Sequence, residues 1–303
     1  MASFESKILH IVQRLSRLMP SEYPINDANL AAKRRGFNQK AKLIPVSDWV
    51  TITDQKIKGV KAEWIEAPES RPNSIMLYMH GGGFVLGGSH LHRDLISKIA
   101  RAGRVRALSI DYSLAPEHPF PAALNEVITA YKWLLAQKFK PDHIIIAGDS
   151  AGAALTLSAL LTIRNNKLPL PAGGVVIAPP TDATLNSLTP YSKRKIRFHI
   201  GGTSLPYFIS SYFQDTPRDD PIASPIHSSL KSLPPLLIHV SDQELLYGDS
   251  TAFAKKAKRQ GVDVDMYIAH NLPHVWHLFS KFLPEAREAI EDIGDFIRER
   301  IPD

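Results

Sequence analysis

Ser150 stands between glycines at positions 148 and 152, in the order Gly148-Asp149-Ser150-Ala151-Gly152. The apolar run Ile144-Ile145-Ile146-Ala147 precedes it, and the Gly/Pro-free apolar stretch Ala153 to Ile163 follows. A serine at such a strand-to-helix junction is the pattern of a nucleophile elbow. The tight turn strains the backbone at the serine and brings chain segments close together, so residues without a Cβ are favoured two positions to either side. The turn presents the hydroxyl clear of the strand and aims the next N–H, that of Ala151, at the place where an oxyanion would form.

Acyl transfer needs further N–H donors, and Ser74-Ile75-Met76-Leu77-Tyr78-Met79 runs into His80-Gly81-Gly82-Gly83-Phe84. Three glycines let the backbone approach a developing oxyanion, and their spacing matches neither a Walker loop nor a dinucleotide fingerprint. A base and an acid should follow the serine, the acid first. The strand-like run Leu236-Leu237-Ile238-His239-Val240 feeds Ser241-Asp242-Gln243-Glu244, which offers two carboxylates. Val264-Asp265-Met266-Tyr267-Ile268-Ala269 leads to Asn271-Leu272-Pro273-His274-Val275-Trp276-His277, which offers two imidazoles.

With these segments go Asp111-Tyr112-Ser113-Leu114-Ala115-Pro116-Glu117-His118-Pro119-Phe120-Pro121-Ala122-Ala123 and Asp220-Pro221-Ile222-Ala223-Ser224-Pro225. Together, from about residue 60 to the end, the chain resembles the bacterial esterases similar to mammalian hormone-sensitive lipase, within the α/β-hydrolases. The resemblance implies an α/β-hydrolase fold with a mostly parallel central sheet of about eight strands, flanked by helices and carrying a helical cap. It selects His274, directly after the proline, over His277. It also selects Glu244, at the head of Glu244-Leu245-Leu246 and thirty residues before His274, over Asp242. The implied assignment is Ser150 as nucleophile, His274 as base and Glu244 as its orienting acid, with the N–H groups of Gly82, Gly83 and Ala151 as oxyanion hole. No cofactor and no metal are required. The substrate implied is a small-molecule carboxylic ester of short to medium acyl chain. An amidase, a lactonase, a deacetylase or a hydrolase-fold ligand receptor are the alternatives that the same fold allows. The chain departs from the family at Ala153, where a further glycine is usual, at Ser113, where arginine is common, and at Ala178-Pro179-Pro180-Thr181-Asp182, which lacks an aromatic ring. These departures bear on substrate range.

Positioning such a site needs strands alternating with helices. Strands are expected near 50–55, 61–67, 75–80, 106–111, 143–148, 174–178, 235–240 and 264–269. Leu124, Val127, Ile128, Tyr131, Leu134 and Leu135 recur at helical spacing, as do Ala289, Ile290, Ile293, Phe296 and Ile297. This alternation argues a largely parallel sheet covered on both faces. The 303 residues, 44% of them apolar, suit one hydrolase domain over 1–303. Its catalytic core is expected at 46–182 and 216–303, and its cap at 1–45 and 183–215. The first cap piece carries a stripe of Phe4, Ile8, Ile11, Val12, Leu15, Leu18 and Met19; the second carries Tyr191, Phe198, Tyr207, Phe208, Tyr212 and Phe213 among Lys193, Arg194, Lys195 and Arg197.

The formal charge of +6 is spread along the chain without a nucleic-acid motif, so nucleic acid is not an expected partner. No apolar run reaches membrane-spanning length and the first 23 residues show no secretory signal pattern, so the expected location is cytoplasmic; the absence of cysteine rules out disulfides and points to no compartment. His90 and His92 lack further ligands at metal spacing and read as surface or loop residues. His80 reads as orienting the glycine loop and Asp149 as a structural hydrogen-bonding group. The resemblance also implies a homodimer through a sheet edge, with the strand near 264–269 as candidate contact.

Overall fold

Every residue from Ile144 to Asp149 is buried, the mark of a strand covered on both faces. The computed structural model describes residues 24–41, 44–186 and 204–302. In them, eight strands form one sheet: β1 (Thr51–Ile57), β2 (Val60–Glu66), β3 (Arg71–Met79), β4 (Val105–Asp111), β5 (Ile144–Asp149), β6 (Gly173–Ile177), β7 (Leu236–Ser241) and β8 (Val264–Ala269). Their spatial order is β1-β2-β4-β3-β5-β6-β7-β8. The pairs β1–β2 and β2–β4 are antiparallel, and every later pair is parallel. The third strand begins at Arg71, earlier than the expected 75, and its register against β4 shifts between Arg71 and Ile75.

Seven α-helices lie among the described residues: α1 (Asp27–Ala41), α2 (Ser89–Gly103), α3 (Ala122–Ala136), α4 (Ala151–Asn165), α5 (Leu205–Phe213), α6 (Tyr247–Arg259) and α7 (Pro284–Arg300). Alternate side chains of each strand feed opposite faces. Ile75, Leu77, Met79 and Ile146 join a core with Leu124 and Val127 of α3 and Leu155 of α4. Met76, Tyr78, Ile145 and Ala147 join a second core with Ile96 of α2 and Ile293 of α7. This two-sided burial is the α/β-hydrolase fold expected from the sequence, and the parallel strands deliver their C-terminal ends to one rim.

The described parts of the two expected cap pieces touch. The Tyr207 hydroxyl donates to Asp27 at 2.7 Å, and the Ile25 N–H donates to Ser204 Oγ at 3.1 Å. The N-terminal stripe Phe4 to Met19, together with Tyr191, Phe198 and the basic cluster Lys193 to Arg197, lies outside the described residues. No helix among those described is long and apolar enough to cross a membrane.

Candidate active site

At the end of β5 the chain turns into α4 through Ser150, which adopts φ 52° and ψ −118°. Such a conformation is costly for a residue with a Cβ and persists only where its surroundings enforce it. The Ser150 N–H donates to Ile177 O at 2.7 Å, and its carbonyl accepts from Ala154 at 3.1 Å. A Cβ on Gly148 would lie 2.7 Å from Met79 O, and one on Gly152 would lie 2.7 Å from His80 O. The two glycines are therefore required for the backbone contact between the elbow and the end of β3. Directly after that end come Gly82 (φ 132°) and Gly83 (φ 62°), in a turn closed by Leu86 N–H donating to Gly82 O at 2.9 Å. Ser150 and the glycine loop are thus neighbours although some seventy residues separate them in sequence.

Beneath this contact lies a buried polar node. Asp149 Oδ1 accepts from the Gly81 N–H at 3.0 Å and from the Tyr78 hydroxyl at 2.8 Å, while Oδ2 faces His92 Nε2 at 3.3 Å. Burial works to raise the Asp149 pKa, but His92 and Tyr78 outweigh it and the net shift is downward. Burial likewise works to lower the His92 pKa, and the Asp149 carboxylate reverses it to a net rise. His92 is 7% exposed, which corrects its reading as a surface residue: it lies on the face of α2 that packs on the sheet. His90, by contrast, pairs with Asn38 Oδ1 at 3.0 Å. No group of three or more His, Asp or Glu among the described residues is arranged to hold a metal ion. His80 donates from Nδ1 to Gly81 O at 2.8 Å, stacks on Tyr112 at 4.3 Å and receives the Tyr112 hydroxyl on its own carbonyl at 2.7 Å. Burial and the nearby His92 push its pKa down to about 4, so its ring is neutral at pH 7.

From the ends of β7 and β8 come the other two groups. His274 Nε2 lies 3.0 Å from Ser150 Oγ, and its Nδ1–H donates to Glu244 Oε2. Glu244 is buried, and its second oxygen accepts from the Ser241 N–H at 2.8 Å. Burial works to lower the His274 pKa, yet the adjacent Glu244 carboxylate more than reverses this and leaves it raised. Asp242 turns elsewhere: it accepts from Asn271 N–H at 2.8 Å and pairs with the exposed His270 at 2.6 Å. His277 also points away from the serine, toward His239 Nδ1 at 3.0 Å. The arrangement is a hydroxyl, an imidazole placed to take its proton, and a carboxylate holding that imidazole's other nitrogen, next to a glycine loop and a helix N-terminus.

Two contributors were not singled out by the sequence reading. Arg34 of α1 donates to Val85 O and Ala115 O, each at 2.8 Å, and pairs with Glu117, so it ties α1 to the glycine loop. Phe208 of α5 covers Gly83, where an added Cβ would come within 2.5 Å of its ring, and Tyr212 stacks on Phe84 at 3.7 Å. The aromatics of 183–215 marked the second cap piece without selecting a ring, because the choice of Phe208 depends on helix phase against a distant loop.

A family model described as alpha/beta hydrolase fold matches residues 76–278. An acetyl-hydrolase of Streptomyces hygroscopicus is 36% identical over 255 residues, which cover 84% of this chain and 83% of that protein. An esterase of Acinetobacter venetianus is 34% identical over 88% of this chain and 89% of its own. Among solved structures, EstE5 soaked with p-nitrophenyl butyrate superposes with a TM-score of 0.90 at 38% identity, covering 99% of both chains. An esterase from the bacterial hormone-sensitive lipase family gives 0.87 at 36% identity over the whole of both chains.

Proposed function

The chain belongs to the alpha/beta hydrolase fold family, in its bacterial hormone-sensitive-lipase branch, and on that premise we propose that it is a serine carboxylesterase working through Ser150, His274 and Glu244. The observation that carries this reading is the unbroken hydrogen-bond chain from Ser150 Oγ through His274 to the buried Glu244. Ser150 Oγ attacks the ester carbonyl carbon as His274 Nε2 takes its proton. Glu244 keeps the Nδ1–H tautomer in place and stabilises the imidazolium that forms. The carbonyl oxygen, now an oxyanion, is received by the N–H groups of Gly82, Gly83 and Ala151; one such donor contributes about 3 kcal/mol to the transition state. His274 then protonates the departing alcohol, and water repeats the sequence on the acyl-enzyme to release the acid.

Short to medium acyl chains are the proposed substrates. Support comes from relatives named acetyl-hydrolase and esterase, and from the Phe208 ring lying on Gly83 of the proposed oxyanion hole. The test is release of p-nitrophenol from acetate, butyrate, octanoate and palmitate esters by the wild type and by Ser150→Ala. Turnover should be highest among the shorter esters and collapse in the variant. Equal rates in both proteins on all four esters would overturn the proposal.

A further inference from the structure

The mechanism above leaves unused a buried histidine pair behind the base. His239 sits in the middle of β7, fully buried, where its strand neighbours are Leu237, Ile238 and Val240. Its Nε2 meets Asp292 Oδ2 of α7 at 2.9 Å, and its Nδ1 meets His277 Nε2 at 3.0 Å. The carboxylate accepts only, so His239 carries its proton on Nε2 and offers a lone pair at Nδ1. His277 must then donate from Nε2, which leaves its buried Nδ1 as a bare acceptor without a partner among the described residues. One half-exposed carboxylate thereby sets the tautomers of two buried rings in series.

The consequence lies in what this series ties together. β7 is the strand that leads to Glu244. Two residues beyond His239, on the same face, Ser241 Oγ donates to Leu272 O at 2.6 Å and accepts from the Leu272 N–H at 3.1 Å. The loop bearing His274 is therefore fastened to β7 on both sides, through Leu272 before the base and through His277 after it. Between the two fastenings Val275 takes φ 49° and ψ 51°, a left-handed conformation that is an outlier for a β-branched residue. Strain of that kind persists only where the surroundings over-determine it. Tyr267 and Trp276 pack against the His239 ring, at centroid distances of 4.9 and 6.2 Å, and against each other at 6.2 Å.

We infer that Asp292, His239 and His277 form a hydrogen-bonded relay that positions His274 against Glu244, an inference that rests on the triad proposed above. None of the three touches substrate; they act through the turn 275–277. Burial keeps the His239 pKa low against the opposing pull of Asp292, and burial with the neighbouring His239 and His274 keeps that of His277 low; Tyr267, which stacks on His239, has Glu288, Asp292 and Glu285 near it. Of the linked imidazoles, only His274 is thus biased to carry charge.

The test compares wild type, His277→Leu, His277→Gln and Asp292→Ala by steady-state hydrolysis of p-nitrophenyl butyrate and by the downfield proton resonance of His274 Nδ1–H. His277→Leu should lower kcat about tenfold with KM changed less than about twofold, and should broaden that resonance. His277→Gln, whose amide donates to His239 Nδ1 in place of the ring, should restore most of both. Asp292→Ala, at the exposed end, should lower kcat about threefold and carries the test if His277→Leu does not fold. Wild-type kcat with a sharp resonance in His277→Leu, or in Asp292→Ala where that variant carries the test, would overturn the relay. A wild type without turnover whose resonance is sharp, and broadens in His277→Leu, would overturn the esterase reading while upholding the relay.

Discussion

Glu244 and Asp242 are two residues apart, yet only one of them faces His274, and the difference has kinetic consequences. Replacing Glu244 by Gln keeps the shape but lets His274 adopt the wrong tautomer, an effect that costs about 10⁴ in kcat in comparable triads. Asp242→Asn should stay within about threefold of wild type, because that carboxylate holds Asn271 and His270 instead. In the proposed mechanism the neutral form of His274 is the active one and its pKa is raised, so kcat/KM should fall with acid already above the ordinary imidazole value of about 6.5. A pH profile of wild type and Glu244→Gln checks this; the residual activity of the variant should hold to lower pH. The buried Asp149–His92 pair makes a separate prediction about stability. Asp149 is depressed, so its contribution is full above the unfolded value of about 3.9 and is lost as pH falls through the folded value. His92 is raised, so its contribution is full below about 6.5 and is lost as pH rises through the folded value. A double-mutant cycle of Asp149→Asn and His92→Gln by denaturant unfolding should show its largest coupling between about pH 4 and 6.5, shrinking on either side. Coupling that is flat from acid to alkaline pH would mean that the pair is not ionic.

At the scale of elements, the contact that matters is between the elbow and the end of β3. Gly152→Ala pushes a methyl toward His80 O, and neither side is a flexible side chain that can yield. The expected outcome is loss of an aligned oxyanion donor, about a hundredfold in kcat, with the fold retained. Gly36→Ala in α1 is the control: a Cβ there meets nothing within 4 Å, so it should leave kcat unchanged and stabilise by up to about 1 kcal/mol. Thermal melts and steady-state rates on the two variants separate these effects. Much of this was readable in advance, because β5, β6, β7 and α4 are apolar runs whose burial leaves no ambiguity and whose ends carry the motif residues. The start of β3 was not readable: Arg71 is only partly covered, Pro72 and Asn73 are exposed, and Arg71 joins the sheet across a register shift that periodicity cannot see. His92 was misread for a different reason. It shares helical spacing with Leu95, Ile96 and Ile99, so its place on the buried stripe was legible, but its partner Asp149 is brought in only by the sheet.

The whole molecule supplies what no local pattern contains, namely the strand order that sets β5, β7 and β8 side by side with one strand between the first two. That order places residues 150, 244 and 274 at one rim, and it lets segments from distant parts of the chain meet over the glycine loop. Tyr207 reaches Asp27, Ile25 reaches Ser204, Phe208 covers Gly83 and Arg34 holds Val85. The proposed acyl-length preference is therefore a property of how these segments close over the sheet as well as of the triad. If the Phe208 ring limits the acyl side of the site, Phe208→Ala should open room for several methylenes, each contributing about 0.8 kcal/mol when buried. The octanoate-to-butyrate ratio of kcat/KM should then rise about tenfold or more, with kcat on acetate changed little because nothing in the proposed triad or oxyanion donors is removed. An unchanged ratio would place the limit on acyl length elsewhere than at Phe208, and a collapse on all esters alike would make this ring a support of the glycine loop instead of a wall of the pocket.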